Sequence, residues 1–219
     1  MDELASRQEI CRIAASLYAR GYVHASAGNI SVKLEDGSFL ITPTDACLGH
    51  LVANELAHVS ATGEQLSGAR ASKTLALHRS IYAASPQARC VIHTHATHLV
   101  SLTLQGVWQP ADIVPPITPY YVMKVGHIPL VSYQRPGAAE VATEVTQRIT
   151  QSTAQHKPIR GVMLERLGPV VWHESPAQAS AVLEELEETA KLWLMSKRQA
   201  SALSEAQIHE LRETFGALW

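Results

Sequence analysis

Two short β-rich runs, Asn29 to Leu34 and Ser38 to Thr42, flank Glu35-Asp36-Gly37, and an Asp-Gly pair between such runs is a strong signal for a tight hairpin. A hairpin is an antiparallel unit. Around it, β-rich and helix-patterned stretches alternate without a clean βαβ rhythm, which already limits the architectures open to the chain.

Ile10, Ala14 and Leu17 recur at helical spacing, predicting an amphipathic helix over the first twenty or so residues that ends near Gly21. Ser72 to Tyr82 lacks Gly and Pro and sets Leu75, His78 and Tyr82 on one face, so it reads as a helix with its N-cap at Ser72 or nearby. Cys90 to His95 reads as a buried strand entered from the Ser85-Pro86 turn. Val141, Val145 and Ile149 mark a further helix, Gly161–Leu164 and Pro169–Trp172 a pair of strands, and Val182–Trp193 another helix. Pro115, Pro116 and Pro119 lie in a connection of the kind that often carries function. No repeat or linker divides the chain. We therefore expect a single domain over 1–219, with 204–219 forming a C-terminal helix that packs at the surface or on a neighbour through Ile208, Leu211 and Phe215.

At 219 residues the chain can bury a substantial core. With 17% charged residues, 46% hydrophobic residues and a net charge of -2, neither disorder nor a nucleic-acid footprint is expected, and the partner should be small. No apolar run is long enough to cross a membrane and Met1 to Leu4 lacks a signal-peptide pattern, so the expected location is cytoplasmic. Cys11, Cys47 and Cys90 are odd in number and widely spaced, which argues for reduced thiols.

The sharpest chemical signal is His93-Thr94-His95. Period-two alternation sets both imidazoles on one face of a strand, close enough to share a metal ion, although two unrelated histidines among 11 would look the same. His98 follows as a possible supporting group. Ser26-Ala27-Gly28-Asn29 suits the presentation of backbone N–H groups and an amide to an anion, or is an ordinary turn. Thr42-Pro43-Thr44 offers hydroxyl donors after a strand. Ser72 and Lys73 combine a hydroxyl, free backbone donors at a helix start and a positive charge, a seat for phosphate or carboxylate unless Lys73 is merely a solvated surface cation.

In order, SAGNISVKLEDGSFLITPT, SKTLALHRSIY, VIHTHATHLVSL and LGPVV resemble the successive signatures of the class II aldolase/adducin family, over roughly Arg7 to Ser196. Within it, PPITPYYVMKVGHIPLVSYQRPG and VLEELEETAKL look closest to the 3-oxo-tetronate 4-phosphate decarboxylases. The resemblance implies an α/β fold, an α/β/α sandwich around a mostly antiparallel sheet. It implies a homotetramer whose active sites lie between subunits, with a divalent metal, zinc being the usual one. By position, Ser26, Gly28, Asn29, Thr44 and Ser72 correspond to phosphate-binding residues, and His93 and His95 to two of three metal-binding histidines.

The chain departs from that pattern twice. The family's acid/base glutamate, four residues before the helix histidine matched by His78, is here Thr74. The third metal histidine, before a glycine, is here Leu167. A threonine is no carboxylate base near neutral pH, and a leucine binds no metal. Glu165 and His173 are the candidates to complete the ligand set.

The resemblance implies a small phosphorylated sugar acid as substrate and decarboxylation through an enediolate as the reaction. Loss of carbon dioxide needs an electron sink and then a proton donor, but no base to remove a hydroxyl proton, so Thr74 is tolerable for it. Lys73 is the hypothetical substitute group, and Tyr121 or Tyr120 a further proton donor. The rivals are a sugar-phosphate aldolase or epimerase, and a non-catalytic adducin-like interaction domain.

Overall fold

In the computed structural model, which describes residues 2–219, the N-terminal helix α1 runs Glu3–Ala19. The Asp2 side chain caps it, accepting from the Ala5 N–H at 2.7 Å. Ile10, Ile13, Ala14 and Leu17 form its buried stripe. The helix stops at Arg20, and Gly21 turns the chain with φ +75°.

The predicted hairpin follows as β1 (Asn29–Lys33) and β2 (Phe39–Ile41), paired antiparallel with Ser31 opposite Ile41. Its turn is held by Asp36, whose carboxylate accepts from the Ser38 N–H at 2.9 Å, and by Gly37 at φ +84°. Then come β3 (Ala57–Val59), β4 (Gln65–Ser67), α2 (Leu75–Ala84), β5 (Cys90–His93) and α3 (Thr97–Gln105). A π-helical turn, Tyr121–Val125, precedes β6 (Leu130–Val131), α4 (Ala139–Ala154), β7 (Gly161–Leu164), β8 (Gly168–His173), α5 (Pro176–Met195) and α6 (Glu205–Phe215).

The eight strands form one sheet in the order β4-β3-β2-β1-β5-β8-β7-β6. Every pairing is antiparallel except β6 with β7. Neighbouring residues on the central strands feed opposite faces, as the pleat requires. Ile92 and Val171 join α1, α3 and α5 in one core, while Val91 and Val170 join α2 and α4 in the other. The result is the expected α/β/α sandwich, with both faces of its central strands buried.

The structure sharpens three local expectations. Helix α2 begins at Leu75 with Thr74, not Ser72, as its N-cap residue. The Ser72 and Thr74 hydroxyls hydrogen-bond each other at 2.8 Å, which draws Ser72 into a turn ahead of the helix. Strand β5 ends at His93, so His95 lies beyond it. Helix α6 packs on its own chain, where Ile208 and Ala217 meet Val122 of the π-helical turn. Phe215, predicted to share its apolar stripe, stays 62% exposed. No described helix is long and apolar enough to cross a membrane, and the three cysteines are free thiols.

Candidate active site

The sheet brings the predicted residues together at one end of its centre. Asn29, the first residue of β1, stands opposite His93, the last of β5, and His93 stands opposite Val170 of β8. Gly28 lets the two backbones meet, since a Cβ there would lie 2.8 Å from the His93 carbonyl oxygen, and its φ is +83°. Thr42 ties the hairpin's return to the same place, its hydroxyl accepting from the Ile30 N–H at 3.2 Å. The Ser72 N–H donates to the Thr42 carbonyl at 3.3 Å, Pro43 bridges to Ala71, and the Thr44 N–H donates to the Arg70 carbonyl at 2.9 Å.

Gly28, Asn29, Thr44, Ser72 and Lys73 therefore lie on three neighbouring segments beside the histidines, with Ser26 in the turn that leads into β1. Asn29 is buried, yet its Oδ1 has no hydrogen-bond partner. Lys73 is exposed, and Thr44 and Ser72 are half-buried. Thr74 sits at the start of α2, one turn before the fully buried His78. There Ser31 Oγ contacts His78 Nδ1 at 2.7 Å and the Tyr82 hydroxyl at 2.8 Å. Burial, with a smaller contribution from His93, drives the His78 imidazole down to about 3, so it is neutral near pH 7.

His93 and His95 have ring centres 5.0 Å apart, with planes at 62°. His93 is 6% exposed, and its Nδ1 lies 2.9 Å from the Pro169 carbonyl, which can only accept. The Nδ1–H tautomer follows, leaving the Nε2 lone pair free. Burial, then the neighbouring His95, pushes the His93 imidazole down to about 4 against the opposing effect of that hydrogen bond. His95 is lowered too, first by burial and then by His24.

Neutral rings with an oriented donor suit a divalent cation. With metal–nitrogen bonds of roughly 2.0–2.1 Å, two imidazoles on one tetrahedral ion place their centres about 5 Å apart, as this pair does. The residues present thus fit two ligands of a metal site. Strand β5 ends at His93, yet the Thr94 N–H still donates to the Pro169 carbonyl of β8 at 3.3 Å, and the two rings meet as the spacing predicts. The path after His93 is set by Gly168, where any Cβ would overlap the Thr94 carbonyl oxygen.

Both predicted third ligands make other contacts. His173 pairs with Cys90 at the other end of β5, three residues or about 10 Å along the strand from His93, and its Nδ1 accepts from the Glu174 N–H. The Glu165 carboxylate accepts from the Tyr133 N–H at 2.9 Å, next to β6. Leu167 packs into the α2/α4 core. His98 is held by the buried Glu187, whose carboxylate also accepts from the His98 and Leu99 N–H groups at the start of α3, a structural cap. The histidine that spacing did not single out is His24, in the turn before Ser26, whose ring centre lies 6.3 Å from that of His95.

Tyr121 is fully buried against Trp219, with ring centres 5.4 Å apart and an unpartnered hydroxyl. That is a packing position, whereas Tyr120 is 60% exposed. Two surface clefts, of about 510 and 430 Å³, run along α4 and are lined by none of the predicted site residues.

Residues 8–194 match the family described as Class II Aldolase and Adducin N-terminal domain. The chain is 56% identical over 218 residues to a 3-oxo-tetronate 4-phosphate decarboxylase of Cupriavidus necator, covering 97% of each chain. It is 41% identical to the protein of the same name from Escherichia coli K12, covering 96% of each. The solved structure of YgbL from Escherichia coli superposes with a TM-score of 0.86 at 40% identity, over 96% of this chain and 99% of that one. With sheet order, site segments and matched length in agreement, this chain belongs to the class II aldolase/adducin family.

Proposed function

We propose that this protein is a metal-dependent decarboxylase of a phosphorylated 3-oxo sugar acid, of the 3-oxo-tetronate 4-phosphate type, acting through an enediolate in sugar-acid catabolism. The observation that carries the reading is the His93/His95 pair, tautomer-fixed by Pro169, beside the anion-suited segments at the same sheet end. The names of the similar Cupriavidus and Escherichia proteins support the substrate class.

His93 and His95 hold the divalent metal, zinc in this reading, which supplies an electron sink when carbon dioxide departs. The turn around Ser26, Gly28 and Asn29, the Thr44 segment and Ser72 receive the phosphate, with backbone N–H groups and hydroxyls as donors. Lys73, exposed at the start of α2, balances phosphate or carboxylate charge. Thr74 removes no proton, and decarboxylation asks for no such step. The enediolate then takes a proton from a tyrosine of the Pro-rich connection, the exposed Tyr120 rather than the buried Tyr121 in this reading.

A cytoplasmic homotetramer with active sites between subunits completes the reading. Exposed apolar side chains support assembly, among them Tyr120, Tyr133, Met195 and Phe215, each at least 60% exposed.

The test is carbon dioxide release from 3-oxo-tetronate 4-phosphate by the metal-loaded protein and by its His93→Ala/His95→Ala variant. Release by the first and none by the second is expected. An aldehyde fragment in place of carbon dioxide would make the enzyme an aldolase, and no turnover with supplied metal would leave the interaction-domain reading standing.

A further inference from the structure

The metal pair lacks a third protein ligand at Leu167, and the groups around it narrow the search for another. Among the described residues, no three His, Cys, Asp or Glu side chains already converge on one point. A ligand must therefore come from a side chain that is close, unengaged and free to turn.

His24 meets these conditions. Its ring lies edge-on to His95, centres 6.3 Å apart with planes at 73°, so the three imidazoles run His93, His95, His24 in sequence of contact. Two rings on one ion stand about 5 Å apart, so His24 joins the pair by turning its side chain from its present position beside His95. It is exposed and makes no hydrogen bond among the described residues, which leaves rotation about its side-chain torsions open.

The backbone beneath it is fixed. Ala25 sits at φ +47° and the Ala27 N–H closes the turn onto the His24 carbonyl at 2.9 Å. Gly28 then presses against the His93 carbonyl oxygen, and Asn29 pairs with His93 in register. The turn that carries His24 is thus tied to the residue that carries the first ligand. Glu165 and His173 are engaged elsewhere, and Glu187 is committed to the start of α3.

We propose that His24 is the third metal ligand of this chain, completing with His93 and His95 a three-nitrogen site that leaves one coordination position open. The inference rests on the metal-dependent reading above and supplies the ligand that the reading lacks. It moves the third nitrogen from the β7–β8 turn to the turn before β1. The phosphate-binding turn and the metal site then share one loop, whose backbone is already set by its register with His93. Three protein ligands with a fourth position free is the arrangement of catalytic zinc sites, whereas two ligands retain the ion poorly.

Cobalt(II) and zinc binding by the full-length protein test this without any turnover assay. Wild type, His24→Ala, His24→Cys and His93→Ala are compared by visible cobalt absorption and by chelator competition. His24→Ala is expected to weaken both metals by about 100-fold or more, beyond the 10–100-fold typical of removing an outer supporting group, and to lose tetrahedral cobalt intensity with an unchanged melting temperature. His24→Cys is expected to gain a sulfur-to-cobalt charge-transfer band absent from wild type, because a thiolate at a ligand position bonds the ion directly. Unchanged affinity and spectrum in His24→Ala, with binding lost in His93→Ala, would overturn the role of His24 and leave the His93/His95 site standing. Weakened binding in His24→Ala with no new band in His24→Cys would assign the effect to the turn and also overturn ligation. Absence of binding by wild type would overturn both this inference and the metal-dependent reading.

Discussion

The Pro169 carbonyl receives the Nδ1–H of His93 at 2.9 Å, joining the end of β5 to the start of β8, just after Leu167. This contact sets the tautomer of His93 and points its free Nε2 lone pair away from the sheet's hydrogen-bonding network. His93→Ala and His95→Ala are each expected to lower zinc affinity by at least about 100-fold, since each removes a ligand and not an outer partner. Chelator competition at neutral pH checks this. Retention of wild-type affinity by His93→Ala would remove the site from this sheet end.

Gly168 precedes Pro169 with φ +141°, and its missing Cβ makes room for the Thr94 carbonyl. Gly168→Ala forces the His93–His95 segment to move and places a side chain in a left-handed backbone region. A loss of about 3 kcal/mol is expected from overlap and strain together. Metal affinity should fall with it. Urea unfolding of the metal-free protein checks the first effect and chelator competition the second; a stability within 0.5 kcal/mol or so of wild type would contradict the close approach.

Lys73 is exposed at the start of α2, where it holds charge rather than packing. For Lys73→Ala we expect KM to rise about tenfold, roughly 1.4 kcal/mol of binding, with kcat nearly unchanged. Steady-state kinetics with 3-oxo-tetronate 4-phosphate separates the roles. A fall in kcat at constant KM would instead make Lys73 the proton donor to the enediolate.

The two tyrosines should differ sharply. Tyr121 hides an unpartnered hydroxyl in the core, so Tyr121→Phe is expected to stabilise the protein by up to about 1 kcal/mol and leave turnover intact. Tyr120→Phe should lower kcat with no loss of stability. Thermal melts and carbon dioxide release on both variants decide, and the reverse pattern would return the proton donor to Tyr121.

His78 gives the fold a pH dependence. Its folded-state imidazole titrates at about 3, below an unfolded value near 6.5. Between those values the unfolded chain binds the proton and the folded chain does not, so this contribution is full above about pH 6.5 and is lost as pH falls. The cost is about 1.4 kcal/mol per pH unit. Ring shifts measured by NMR on the metal-free protein should show His78 still neutral at pH 5, and protonation near pH 6.5 would contradict its buried placement.

Local chemistry made much of this protein legible from sequence. Asp36-Gly37 specified the β1–β2 hairpin because only a tight turn uses that pair between β-rich runs. Helical spacing identified the buried faces of α1, α4 and α5 because core burial is periodic within one element. The ordered motifs from Ser26 to Val171 identified the family. Tertiary structure alone decided what depends on neighbours distant in sequence. It ended β5 at His93 and left room at Gly168 for the Thr94 carbonyl on the way to His95. It sent His173 to the far end of β8 and Glu165 to Tyr133, buried Tyr121 under Trp219, and set His24 beside His95. Periodicity reports which face a residue takes within its element, but strand order and register between elements decide which faces and which ends meet.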